Sequence, residues 1–342
     1  MKKFLVVCAA LMLPCLLVRA QEAEDTETGV VLSVIPRLDL NPSFSTSKDG
    51  SGDFTLGNSS LYTLLEGDLT ENLSFSVSNH WLSREPKYLY KNTLHSDDVN
   101  WLDWAYLNLS LGSWEFTAGK QALAMGGFEF DDYDFETHPI LNSSLWQNIP
   151  SYQWGVKVGN HLTEQDLVSL QVASSPYSEH FFDQGLLNYG LEWRQERGNF
   201  ESILALNYMQ NQKKTGELSL KDCFYRVFTL GTRLTLGDVV LTLDLFDKVG
   251  NAELDNHGIT AIPSVLWGVS DRVELLVKGG WEHTTHQLEE LDRNVYNVGA
   301  AAHLYLLEDK SLRLHAVCGY NSFLDTVEMS VGVLFNLSLK VK

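Results

Sequence analysis

The sequence predicts an all-β fold: a transmembrane antiparallel β-barrel of about 16 strands, with short turns at one end and long loops at the other. Three observations predict it. Short runs alternate apolar and polar residues, the period of a strand with one oily face. The connections between runs alternate between tight turns and long polar segments along the whole chain. Tryptophan and tyrosine gather at run ends, where a membrane barrel carries its interfacial girdles.

The chain opens with Met1-Lys2-Lys3, an apolar run from Phe4 to Val18, and then Arg19-Ala20. A charged head, an oily middle and a small residue at the end make residues 1–20 a cleavable export signal. Cys15 follows Leu13-Pro14, a poor setting for a lipid-anchored cleavage site. The apolar run is short for a spanning helix, and no later run is long and apolar enough. A membrane chain without spanning helices must cross as a closed barrel, because hydrocarbon leaves no partner for open backbone groups.

Charge narrows the partners. The formal net charge is −19, and loss of Lys2, Lys3 and Arg19 with the signal makes it −22. So acidic a chain excludes nucleic acid. Cys8 and Cys15 leave with the signal, while Cys223 and Cys318 fall on different predicted strands and are expected to stay unpaired.

The elements follow in order. Residues 21–28 form an acidic leader, and 29–342 the barrel. The first strand runs from Gly29 to Asn41, with Leu32, Val34, Leu38 and Leu40 on one face and Ser33, Arg37 and Asp39 on the other. Leu61 to Leu69 turns at Thr70-Glu71-Asn72 into a strand ending at Trp81, whose Ser74, Ser76, Ser78 and His80 share the polar face. A hairpin follows, Trp101 to Leu111 and Trp114 to Gln121, joined by Gly112-Ser113. Gln153 to Gly159 turns near His161-Leu162-Thr163 into Leu167 to Ala173, and Leu187 to Arg194 turns at residues 196–199 into Phe200 to Tyr208. Phe224 to Leu236 turns at Gly237-Asp238 into Val239 to Asp247, and Ile259 to Val269 turns at Ser270-Asp271 into Arg272 to Trp281. Tyr296 to Leu306 turns at residues 308–310 into Leu312 to Tyr320, and Val327 to Leu339 closes the chain. An even strand count puts both termini on the periplasmic side, with the tight turns. Trp81, Trp101, Trp154 and Trp281 sit beside long loops, and Trp114, Trp193, Trp267 and Tyr305 near tight turns.

The third long loop, residues 124–152, exceeds what a hairpin needs, and structureless loops of that length are uncommon without a function. It carries Glu129, Asp131, Asp132, Asp134 and Glu136, interleaved with Phe128, Phe130, Tyr133 and Phe135. If the aromatics anchor the loop against the inner wall, the carboxylates line a constriction and attract cations; the other reading is a solvated outer loop. Arg37, Lys157, Arg194, Arg233, Arg272, Lys278 and Arg313 fall on inward faces by periodicity, and Asp39, Glu66, Asp68, Glu192, Asp244 and Glu274 share those faces.

Ala105-Tyr106-Leu107, Trp114-Glu115-Phe116, Gly119-Lys120-Gln121, Gly126-Gly127 and Glu129 together resemble the hairpin and following loop of Gram-negative outer-membrane porins, and are most similar to the phosphate-selective porin O/P-like branch. The resemblance covers about a tenth of the chain in motifs. It implies a trimeric, water-filled diffusion channel in the outer membrane, narrowed by its third outer loop. Two departures stand out. The expected constriction is acidic, where the family's phosphate selectivity rests on a ladder of lumen cations. The last strand ends Leu337-Ser338-Leu339-Lys340-Val341-Lys342 without a terminal aromatic, Phe335 being the nearest.

The sequence thus points to a passive porin for small hydrophilic solutes and ions, with the lipid bilayer and lipopolysaccharide as surroundings, a homotrimer as assembly, and no cofactor. The alternative is an outer-membrane barrel acting as receptor, adhesin or structural protein without an open pore. No serine-hydrolase, zinc-protease or phosphate-loop motif points to an enzyme. Glu282, His283, His286, Glu289 and Glu290 make only a weak metal pattern.

Overall fold

In the computed structural model the described residues are 29–45, 52–81, 102–133, 135–178, 185–212, 223–250, 256–286, 291–322 and 324–341. The export signal, the acidic leader, Asp134 and much of the long connections lie outside them. Eighteen strand segments form one closed antiparallel sheet. They are β1 (Val30–Ser45), β2 (Gly52–Thr55), β3 (Ser60–Thr70), β4 (Leu73–His80), β5 (Leu102–Leu111), β6 (Trp114–Ala122), β7 (Tyr152–Thr163), β8 (Asp166–Ser174) and β9 (Leu187–Arg197). The second half holds β10 (Phe200–Gln210), β11 (Phe224–Leu236), β12 (Val239–Val249), β13 (Asn256–Ser270), β14 (Val273–His286), β15 (Leu291–Tyr305), β16 (Leu312–Asn321), β17 (Thr326–Phe335) and β18 (Leu337–Val341).

Two pairs of segments are single wall strands. β17 and β18 both pair with β1 in one continuous register, Arg37 opposite Leu334 and Val34 opposite Leu337. The break falls at Asn336, whose N–H bonds the Ser311 carbonyl in the neighbouring turn. β2 and β3 likewise pair with successive stretches of β1. The wall therefore has 16 strands, closed by β1 against the last.

Turn chemistry fixes the tight end. Gly112, Gly198 and Gly237 take φ near +60° in their turns, a conformation that costs glycine little. The turn after β7 is tighter than the sequence reading placed it. Thr163 Oγ1 donates to Asp166 and accepts from the Gln165 amide, so the ladder continues through Thr163 and the chain reverses at Glu164-Gln165.

The two faces separate as the alternation requires. Leu243, Val277 and Val331 are 39%, 52% and 57% exposed on the outer wall, while the neighbouring Ser330 is 1% exposed inside. Exposed Trp81, Tyr189, Tyr208, Trp281 and Tyr296 ring the long-loop end, and Trp114, Trp193 and Trp267 ring the tight-turn end. Tyr305 does not belong to that girdle: it points inward and its hydroxyl donates to Glu274 at 2.8 Å. Trp101 lies outside the described residues. An apolar belt between two aromatic rings, on a wall without open edges, is a surface made for lipid. Neither Cys223, which is buried, nor Cys318, which is exposed, forms a disulfide.

An arginine placed at Leu243, Val277 or Val331 should destabilise the barrel by about 2–4 kcal/mol where the site lies near the bilayer midplane. The same change at Thr242, on the inner face, should cost far less. Urea-driven unfolding in lipid checks this, and equal costs on both faces would exclude a lipid-facing belt.

Candidate functional site

The segment between β6 and β7 leaves the wall at the long-loop end and turns into the lumen. Gly126 and Gly127 make the turn possible, with φ of +68° and +81°. A Cβ at Gly126 would sit 2.6 Å from the Ala205 Cβ, and one at Gly127 would sit 2.8 Å from the Phe246 ring. Only glycine lets this backbone lie so close to the wall.

On both sides of the turn the wall receives the loop's polar groups. Asp244 accepts both the Phe128 and Glu129 amides at 2.9 Å. The Ala124 amide donates to Gln171, and the Ala124 and Met125 carbonyls accept from Asn207 and Thr229. A short helix, α1 (Ser144–Asn148), is capped by Ser143 and presents the Ser144 amide to Glu282 at 2.7 Å. Arg37 donates to the Thr137 carbonyl at 2.6 Å.

The apolar side chains fill what remains. Met125, Phe130, Leu145 and Ile149 pack with Met209, Val227, Phe246 and Ile262. Phe135 packs with Ile35, Tyr62, Leu64 and Trp104, and Leu141 with Ala301 and Val317. Tyr133 stacks on Trp104 with ring centres 5.3 Å apart. The loop therefore touches the wall on several sides of the lumen.

The loop carboxylates have separate fates. Glu129 is buried, 2.7 Å from Lys278, and accepts from the Ser143 amide and hydroxyl. Asp131 takes a two-pronged pair of hydrogen bonds from Arg194, both 2.7 Å. Asp132 and Glu136 face a cavity of about 460 Å³ on the tight-turn side of the loop. Asp132 is open to that cavity yet has protein on most sides. Desolvation pushes its carboxyl up to about 6 against the pull of Lys278 and Arg233. Asp134 lies outside the described residues.

The basic residues are distributed just as unevenly. Arg233, Lys278 and Arg313 line the cavity wall. Arg233 also lies 3.9 Å over the Phe128 ring and 3.7 Å from Glu201. Arg37 is buried beside Asp39, at 3.0 Å, and reaches the loop. Lys157 is half-buried on the inner face of β7, opposite Thr117 and Gln171. Arg272 is a correction: it sits in the turn before β14, largely exposed, 3.8 Å from Glu308, because the strand starts one residue later. It belongs to the rim rather than the lumen wall.

Sequence reasoning did not single out the anchors Asp244 and Glu282, or His138, as parts of one site. Glu282 and His283 alternate across β14, Glu282 inward to α1 and His283 outward beside Trp281, so they do not share a metal. Among the described residues no three His, Cys, Asp or Glu side chains are grouped to hold a metal ion.

No known protein family matches the chain, and no curated protein sequence matches it either. Solved structures do. The OmpF structure of Salmonella typhi, in complex with daunomycin, has a TM-score of 0.64 at 10% identity, covering 90% of this chain and 97% of that one. The outer membrane channel DcaP of Acinetobacter baumannii has a TM-score of 0.60 at 11% identity, covering 92% and 99%. The anion-selective porin of Comamonas acidovorans has a TM-score of 0.58 at 12% identity, covering 90% and 100%. At such identities the likeness speaks for the fold alone, which is matched over nearly the full length of all three.

Proposed function

We propose that the chain is an outer-membrane porin, exported through a cleaved signal, that lets small hydrophilic solutes and ions diffuse through its lumen. The observation that carries this reading is the third long loop, folded inward and bordering a cavity lined by charges of both signs. A barrel serving only as scaffold for surface loops gains nothing from holding carboxylates against an inner cavity. The likeness to solved porins and channels supports the same reading. OmpT of Vibrio cholerae, 12% identical and solved in a trimer form, supports a homotrimer. The outer rings of tyrosine and tryptophan would sit at the lipopolysaccharide and phospholipid interfaces.

Phosphate selectivity, the finer part of the family resemblance, is not adopted. Arg194 is neutralised by Asp131, Lys278 by Glu129 and Arg37 by Asp39. The lumen cations that would form an anion ladder are in large part committed to holding carboxylates, and on the cavity itself Asp132, Glu136, Glu201 and Glu274 outnumber Arg233 and Arg313. A channel so lined leans towards cations, because low-dielectric walls focus the field of a few charges.

In planar bilayers the protein should show open single-channel steps, with a zero-current potential favouring cations across a tenfold salt gradient. That preference should be weak at pH 5 and full by pH 7.5, because a carboxyl raised to about 6 is mostly protonated below that value and ionised above it. Asp132→Asn should flatten the pH step, and Asp131→Asn with Asp132→Asn should shift the potential further towards anions. A potential indifferent to both changes would remove the constriction from the account, and a barrel that never conducts would favour the receptor or scaffold reading.

The loop must also stay inside. Lys278→Met leaves the buried Glu129 carboxylate without its cation, which for buried pairs costs about 3–5 kcal/mol. Residues 123–151 should then become sensitive to limited proteolysis, and adding Glu129→Gln should restore most of the protection. Equal protection in all three proteins would show that the pair does not hold the loop.

A further inference from the structure

Three histidines meet where the loop crosses β1, β15 and β16. His138, from the loop, lies with its Nε2 2.8 Å from His303 Nε2, and its ring centre is 5.2 Å from that of His315. Arg37 Nη2 lies 2.9 Å from His138 Nδ1. His315 Nε2 lies 2.8 Å from Asp39 Oδ1. All five side chains are buried.

The protons in this knot can be assigned by elimination. Arginine carries only donors and stays charged. Nδ1 of His138 must therefore accept from Arg37, which leaves the His138 proton on Nε2. That Nε2–H donates to His303 Nε2, so the His303 proton sits on Nδ1, 3.8 Å from Glu274 Oε2. Every link holds only while His138 is neutral. A second proton on His138 would land on Nδ1, remove the acceptor for Arg37, and set two cations about 3 Å apart.

The surroundings offer the extra charge no relief. The titratable and charged groups that face the ring are Arg37 and Asp39 on β1, Glu274 on β14, His303 and Tyr305 on β15, and Arg313 and His315 on β16, with Glu136 on the loop itself. Asp39 already holds Arg37 and His315, and Glu274 holds Tyr305 and Lys310. Burial, then Arg37, keeps the His138 ring well below the ordinary imidazole range.

We propose that the His138–Arg37–His303 contact is an acid-released latch: it ties residues 136–139 of the loop to β1 and β15 at neutral pH and lets go when His138 takes up a proton. The sign follows from the linkage. The latched ring binds its proton more weakly than a free one, so the latch is at full strength above the free imidazole's value of about 6.5 and weakens by up to tenfold per pH unit below it. The remaining anchors at Asp244, Lys278 and Glu282 lie on other strands, so this end of the loop would loosen while α1 stays in place.

The test uses the full chain in two measurements. Nitrogen-15 spectra of the histidine rings in detergent should show His138 at pH 8 as an Nε2–H tautomer, and protonating only together with loss of its hydrogen bond. Single-channel recordings should show open-channel current variance rising at least threefold between pH 7.5 and 5.5. His138→Gln, which can accept from Arg37 but cannot titrate, should abolish that rise. Arg37→Met, checked for folding by heat-shifted gel mobility, should move the His138 titration towards the free value. The same rise in His138→Gln would assign the noise to the loop carboxylates and overturn the latch, as would a His138 ring with its proton on Nδ1. The spectra read the ring whether or not the barrel conducts, so a failure of the porin reading is separable from a failure of the latch.

Discussion

The interior of the barrel depends on one carboxylate. Asp244 accepts the amides of Phe128 and Glu129 together, and thereby fixes where the loop first meets the far wall. An aspartate on an inner face would normally seek water, since burying an unpaired charge is costly. Two backbone donors replace that water, and they are available only because Gly126 and Gly127 bring the chain within contact of Phe246 and Asp244. With these two amides placed, Glu129 reaches Lys278, the Phe130 ring packs on Phe246, and Asp131 meets Arg194.

That dependence explains what the sequence made legible. The wall is a local matter: alternation, turn glycines and end aromatics sit within each hairpin, so the fold, the strand count and the lipid face of Leu243, Val277 and Val331 could all be read from short stretches. The third loop was legible as long, acidic and aromatic. Its partners were not, because Asp244 is more than a hundred residues from Phe128, and nothing in the local pattern of β12 separates an anchor from any other inward acid. His138 carried still less signal, being a lone histidine before a proline. Periodicity puts Arg272 on the wall because it does not mark where a strand begins, and the turn takes it instead. Its position near a turn suggests a girdle role for Tyr305, but its hydroxyl reaches an inward acceptor in Glu274.

The loop is held by two kinds of contact that respond differently to conditions. The apolar set, from Met125 to Ile149, keeps its strength across pH and salt because it rests on area removed from water. The polar set relies on hydrogen bonds and ion pairs to carboxylates and, at one end, on an imidazole that accepts from an arginine. The pair of Arg194 with Asp131 is partly exposed and open to screening, while Lys278 with Glu129 is buried and screened much less. The segment from Phe128 to Phe130 is fastened by both kinds. The stretch around Thr137 and His138 leans on the arginine and histidine contacts, with Phe135 and Leu141 as its apolar neighbours on either side.

This division also shapes the charge that a passing solute would meet. Each pairing between loop and wall removes one anion and one cation from the lumen field, so the number of charged residues in the sequence overstates the field. Glu129 and Asp131 are consumed in position, and Lys278 and Arg194 with them. Asp132 and Glu136 on the loop and Arg233 and Arg313 on the wall still border the open cavity, with Arg233 drawn towards Glu201 and the Phe128 face. The residual field is therefore set by a few groups that hold the structure together least. A lumen built this way can change its selectivity by substitution at Asp132 or Glu136 without loss of the anchors, whereas any change at Asp244 or Glu129 alters the position of the constriction before it alters its charge.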